Sequence, residues 1–217
     1  MEGQLLPGKI KEQEMLAFYG EQLSAVEINS TFYRMPRREV LHRWVDDTPD
    51  QFRFIIKASR RITHFKRLGD AGEPMRYLLN NIETLGKKLG AVLFQLPPNM
   101  RCSLDRQDDF LKLVPQDLPI SFEFRDQSWF VEDVVDRLNA RNIAICHSDH
   151  LELPFSPTAD WGYLRLRRPK YDKRILQEWT RRMTDAGWRD AYVFFRHETE
   201  GTAPQLAAKF ADLSAGD

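Results

Sequence analysis

Two glutamates, a lysine, an amide and several arginines close short apolar runs in this chain, and together they could do acid/base chemistry on an anion. Glu27 and Asn29 end AVEIN (25–29), Lys57 ends RFIIK (53–57) and Gln95 ends AVLFQ (91–95). Glu123 and Arg125 close ISFEFR (120–125), and Arg165 lies in GYLRLR (162–167). His147 and Asp149 end IAICHSD (143–149), and Arg196 and His197 end AYVFFRH (191–197). Arginine holds carboxylates and phosphates in bidentate fashion. Glu27 or Glu123 suits a general base or acid whose pKa is set by burial and neighbouring cations. Lys57 could anchor an anion or form a Schiff base. The plainer alternative makes Lys57 a counter-ion to Glu27 or Glu123, within a salt-bridge network that only closes one end of the fold.

The seven apolar runs read as buried parallel strands, because such strands are covered by helices on their outer side. Polar residues gathered at their carboxyl ends are how a β/α barrel builds an active site. Side chains alternate faces along a strand. Val26 and Ile28 would therefore face the helices, which turns Glu27 and Asn29 inward. By the same parity Lys57 joins Ile55, Gln95 joins Leu93, and Glu123 and Arg125 oppose Phe122 and Phe124. Arg165 and Arg167 likewise turn inward opposite Leu164 and Leu166.

Helical spacing fills most of the intervals. Residues 9–22 carry Met15, Leu16, Tyr19 and Leu23. A helix with Pro36 in its first turn would bury Val40, Leu41, Trp44 and Val45 and end before Pro49. Residues 73–89 place Met75, Leu78, Leu79, Ile82 and Leu85 on one face, with Gly90 as the stop. Asp105 could cap a short helix carrying Phe110, Leu111 and Val114. Residues 129–140, 172–186 (stopped by Gly187) and 203–213 complete the set. Two prolines in HLELPFSPTADW (150–161) leave no room for a covering helix, so a long loop should cross the carboxyl face there. The expected fold is a single α/β domain over 1–217, a TIM-type (β/α)8-like barrel apparently lacking its first strand, with seven recognisable strands. Trp44, Trp129 and Trp179 fit helix-to-barrel packing, and His42 falls on an exposed helix side.

Length and composition agree with one soluble domain. The 217 residues are 42% hydrophobic and 29% charged, with 32 basic and 32 acidic residues. Zero net charge gives little support to a nucleic-acid partner, and the basic stretch RLRRPKYDKR (165–174) reads as a solvated loop. Cys102 and Cys146 have no metal-site spacing, so a cytoplasmic location is the expectation. No run is long enough to span a bilayer, and no membrane partner is expected.

Six segments carry a family resemblance: VEINSTFYRMP (26–36), FRFIIKASRRITH (52–64), AVLFQLPP (91–98), FEFRDQSWF (122–130), TADWGYLRLR (158–167) and FFRHETEGTAP (195–204). These resemble the YecE-like family, a domain of unknown function numbered seventy-two. The resemblance runs from about residue 16 to the end of the chain. It implies a TIM-type barrel, brings no settled activity or cofactor, and points to Glu27, Asn29, Tyr33, Lys57, His64, Gln95, Glu123, Arg125 and Arg165 as the site. Members usually open with a glycine- and tryptophan-containing strand, which this sequence does not show. Its Arg167-Arg168 stands where a histidine-glycine pair is common, and its Arg196-His197 where asparagines are common.

Three functions compete at this level. The first is an enzyme, a hydrolase or a lyase, on a small phosphorylated or carboxylated substrate. Glu27, Lys57 and Glu123 would carry the chemistry, with Asn29, Tyr33, His64, Gln95, Arg125 and Arg165 binding. The second is a divalent-metal phosphoesterase or nuclease drawing ligands from Glu27, Glu123, His147, Asp149, His150, His197 and Glu198. No two of these form a strong spacing motif, and the nearby cations would repel a metal, so no metal site is assigned. The third is a binding module with a degenerate site. Open barrel edges would allow an oligomer.

Overall fold

In the computed structural model, residues 15–196 and 203–215 are described. Within these residues seven strands form one parallel sheet in simple sequential order. They are β1 Ala25–Ile28, β2 Arg53–Lys57, β3 Leu89–Gln95, β4 Ile120–Glu123, β5 Ala144–Ser148, β6 Trp161–Leu166 and β7 Asp190–Phe195. Among the described residues seven α-helices accompany them: α1 Met15–Gln22, α2 Arg38–Asp46, α3 Gly72–Ile82, α4 Leu104–Leu111, α5 Glu132–Asn139, α6 Lys173–Asp185 and α7 Ala203–Ala215.

The sheet curls into a nearly closed barrel with two apolar layers. The outer layer packs Val26, Phe54, Ile56, Val92, Phe94, Phe122 and Phe124 against Leu41, Leu78, Phe110, Trp129 and Val134 of the surrounding helices and turns. The inner layer is small: Ile55, Ala91, Leu93, Cys146 and Tyr163, with Ala25, Tyr192 and Phe194 against it. Its members come from β1, β2, β3, β5, β6 and β7, which only a curled sheet can bring together. Among the described residues β1 and β7 share no ladder. A cleft of about 970 Å³ at the amino end is lined by Ala25, Arg53, Trp161, Tyr192 and Phe210.

Strand parity holds along β1, β2, β3, β4 and β6, and the carboxyl-face loop between β5 and β6 has no helix. Several element ends differ from the sequence reading. The helix expected to run to Gly90 ends at Ile82 and continues as a 3-10 turn over Glu83–Lys88, broken where Gly86 takes a φ of 49°. Gly90 is inside β3, where the register with β2 slips by one residue. It stops nothing: a Cβ there would lie 2.8 Å from the Tyr192 hydroxyl, so glycine leaves room for an inward tyrosine. Pro36 precedes α2, whose N-cap is Arg37, and Ser103 rather than Asp105 holds the N-cap of α4. Asp172 caps α6 by accepting from the Ile175 amide at 2.8 Å, and Gly187 ends it at a φ of 67°. Of the 9–22 helix, Met15–Gln22 is described as α1 and the preceding residues lie outside the description.

Candidate active site at the carboxyl ends of the strands

The inward polar residues meet as a hydrogen-bonded cluster built on Arg165. Its guanidinium donates to Glu123 Oε2 at 2.5 Å, to Glu27 Oε1 at 2.6 Å and to Asn29 Oδ1 at 3.3 Å. Gln95 Nε2 donates to the second Glu123 oxygen at 2.8 Å, and Asn29 Nδ2 donates to Glu27 Oε1 at 2.7 Å. The Tyr163 hydroxyl closes the set by donating to Glu27 Oε2 at 2.6 Å. Glu123 is fully buried and Arg165 is 2% exposed. Charges this deep persist only when paired and hydrogen-bonded, and here every carboxylate oxygen has a donor.

Protonation follows from this geometry. Burial pushes the Glu123 carboxyl up, but the Arg165 charge and the Arg165 and Gln95 hydrogen bonds outweigh it and hold it below the usual range. Burial opposes the Arg165 charge, and Glu27 and Glu123 overcome that, so the guanidinium stays protonated. Burial, then Glu27, raises the Tyr163 hydroxyl well above its ordinary value. Glu123 is thus held as a committed anion, and proton exchange near neutral pH falls to other groups.

Lys57 is the prominent one. Burial, then the Arg165 charge, lowers its amine from 10.5 to about 8. The counter-ion role expected as the plain alternative is not its arrangement. Among the described residues Lys57 Nζ is in no ion pair, and it lies 4.6 Å from the centroid of the Phe32 ring. Thr31 fixes that geometry. Its buried hydroxyl lies 2.7 Å from the Ile28 carbonyl and 2.8 Å from the Lys57 carbonyl, pinning the turn after β1 to the end of β2.

Other cations crowd the mouth. Arg125, just past β4, is half-buried and its Nε is enclosed without a partner among the described residues. Arg167, just past β6, is half-buried, and burial followed by Arg165 depresses its pKa. His64 sits on the loop after β2, edge-on to Phe32 at 4.9 Å, with Nδ1 2.9 Å from Thr63 Oγ1. Burial, then Lys57 and Arg125, lowers its pKa. His150, 2.7 Å from Ser148 Oγ through Nδ1, is lowered by burial and then Arg167. Tyr33 stands at the rim, 68% exposed.

The residues considered as metal ligands scatter. His147 points to the outer face of β5, its ring 4.5 Å from Phe155 under the long loop, and burial drives its pKa down to about 4. That position excludes it from the site, because β5 parity turns Cys146 and Ser148 inward instead. Asp149 accepts from the Arg167 amide at 2.7 Å and from the Tyr171 hydroxyl, bracing the loop. Among the described residues no three of His, Cys, Asp and Glu converge on one point. His197 and Glu198 lie outside the described residues, and Arg196 anchors to β6 through its amide, 2.8 Å from the Leu166 carbonyl.

Sequence reasoning passed over three participants. Tyr163 lies two residues before Arg165, and parity alone could have selected it. Arg167 was turned inward but given no role. Phe32 sits in the STFYR segment with no periodic signal, and only the folded turn sets it against Lys57.

Comparison with known proteins agrees with this architecture. The chain is 31% identical over 140 residues to the UPF0759 protein YunF of Bacillus subtilis, a stretch covering 58% of this chain and 48% of that protein. It is 29% identical over 115 residues to the UPF0759 protein YecE of Escherichia coli K12, covering 52% and 42% respectively. The matches thus span about half the length of these curated relatives. Among solved structures, a DUF72 family protein of Thermotoga maritima superposes with a TM-score of 0.81 at 23% identity, over 95% of this chain and 91% of that one. One from Enterococcus faecalis gives 0.79 at 21%, over 91% and 92%. These likenesses establish the seven-stranded barrel as a TIM-like fold. The family described as protein of unknown function DUF72 matches residues 1–216, and the chain belongs to it.

Proposed function

We propose that this barrel is an enzyme acting on a small anionic molecule, phosphorylated or carboxylated, at the carboxyl ends of its strands. One observation carries the reading. At the mouth the carboxylates Glu27 and Glu123 face four cations, Arg165, Lys57, Arg125 and Arg167, and among the described residues only Arg165 of these is in an ion pair. Half-buried cations without counter-ions are costly unless an anion joins them. Arg125 and Arg167 would grip that anion, Arg125 through an Nε that has no partner among the described residues.

The Glu27–Arg165–Glu123 cluster would fix the field at the floor. Lys57, brought to about 8, would exchange the proton that hydrolysis or elimination requires. In the neutral form it accepts a proton; in the charged form it donates one or holds the anion. The test is a thermal-shift series at low ionic strength with inorganic phosphate, sugar phosphates and dicarboxylates. A ligand that binds only the folded state raises the melting temperature by mass action. Stabilisation by anions that Arg125→Met removes is the expected result. A flat response to every anion sinks the proposal.

A further inference from the structure

Resting on that anion site, we infer that its ligand also carries a planar heteroaromatic ring, as a nucleoside phosphate does, stacked at the rim on Tyr33 and Phe65. Tyr33 is 68% and Phe65 67% exposed, more than any other large hydrophobic side chain among the described residues. Exposed apolar side chains scattered singly need no explanation, but these two are not scattered. Tyr33 ends the turn after β1, and Phe65 ends the π-helical turn Arg61–Phe65 after β2. The Arg60 guanidinium lies 5.4 Å from the Tyr33 ring and 5.3 Å from the Phe65 ring, so one cation braces both.

The rim is continuous with the cationic well. The Tyr33 ring meets Phe32 edge-on at 5.0 Å, and Phe32 in turn carries Lys57 Nζ at 4.6 Å and His64 at 4.9 Å. A ligand with its phosphate on Lys57, Arg125 and Arg167 would therefore extend outward along an aromatic path to two preset ring faces. An alkyl tail would gain little there, since the two rings stay open to water. A flat base gains by stacking on open faces, and each such contact is worth roughly tenfold in affinity. Arg60, set over both rings, adds a positive charge beside them. The same chemistry is presented by a free nucleotide and by the phosphorylated end of a single strand.

The experiment is calorimetric titration of the full chain, at fixed low ionic strength, with inorganic phosphate, ribose 5-phosphate, AMP and a short 5′-phosphorylated single-stranded oligonucleotide. AMP should bind about tenfold more tightly than ribose 5-phosphate if the base stacks on one ring and about a hundredfold if it stacks on both. Both rings are exposed, so Tyr33→Ala and Phe65→Ala should fold, and each should pull that ratio toward one. Equal affinity for AMP and ribose 5-phosphate in the intact protein overturns the ring proposal and leaves the anion site standing. A ratio that survives both substitutions also overturns it. Failure of all four ligands to bind removes the anion site and this inference with it. Tighter binding of the oligonucleotide than of AMP supports the proposal with a strand end as the source, and equal or weaker binding supports it with a free nucleotide.

Discussion

Replacing Lys57 with methionine should stabilise the ligand-free protein at neutral pH while abolishing its response to anions. The magnitude follows from the site. Burial and Arg165 lower the amine from 10.5 to about 8, and each pKa unit is worth about 1.4 kcal/mol. The full shift would set a ceiling of about 3.5 kcal/mol on what the charged amine costs the fold. Lys57 is half-buried, and the water that still reaches it screens that cost to about 1–2 kcal/mol. Losing its contact with the Phe32 ring returns about 0.5–1 kcal/mol, for a net gain near 1 kcal/mol. Between pH 8 and 10.5 the unfolded chain holds a proton that the folded protein has shed, so wild-type stability rises with pH across that window. The penalty is therefore complete below pH 8, and the difference between variant and wild type should shrink as pH climbs above it. Urea denaturation at pH 6.5, 8 and 9.5, beside a phosphate thermal shift, measures both effects. A variant less stable than wild type at pH 6.5, by an amount that fades with rising pH, would show that the lysine serves as a counter-ion and would refute the reasoning.

Other outcomes are as definite. Arg165→Met leaves Glu27 and Glu123 as buried carboxylates without their cation and should cost about 3–5 kcal/mol in urea denaturation; a loss below about 1 kcal/mol would mean water already reaches the pair. Burial holds His147 neutral down to about pH 4, so stability complete above its ordinary 6.5 should fall by about 3 kcal/mol as pH drops from 6.5 through 4. His147→Leu should flatten that acid limb, and an unchanged slope would count against the burial argument. Gly162→Ala places a Cβ 2.0 Å from the Trp188 ring and should cost about 3 kcal/mol, since Gly162 is fixed in β6 and the Trp188 ring packs against Phe155; a melting temperature unchanged from wild type would show that the indole moves freely.

Most of the floor of the site was legible because a strand has a period of two. Once AVEIN, AVLFQ, SFEFR and YLRLR were read as strands in one parallel sheet, Glu27, Gln95, Glu123 and Arg165 had to share the inner face. The same rule, applied to β5 with its neighbours in view, turns His147 outward; counting it among strand-end ligands ignored that parity. Helix ends were less legible. Gly90 reads as a stop in one dimension and is a strand residue in three, since what it accommodates is Tyr192, more than a hundred positions away.

The sequence by itself determined the barrel class and which polar side chains face its interior, because burial pattern and pleat are local properties of short segments. Tertiary structure alone decided who pairs with whom. Arg165 reaches Glu27 across 138 positions and Tyr163 reaches it across 136, contacts that exist only when the sheet has curled. Those contacts use both glutamates on Arg165, Tyr163, Gln95 and Asn29, and so leave Lys57 over an aromatic ring rather than against a carboxylate. The amine's lowered pKa is a property of that enclosed space, where charge and solvation depend on every neighbour at once, and no single stretch of sequence encodes it.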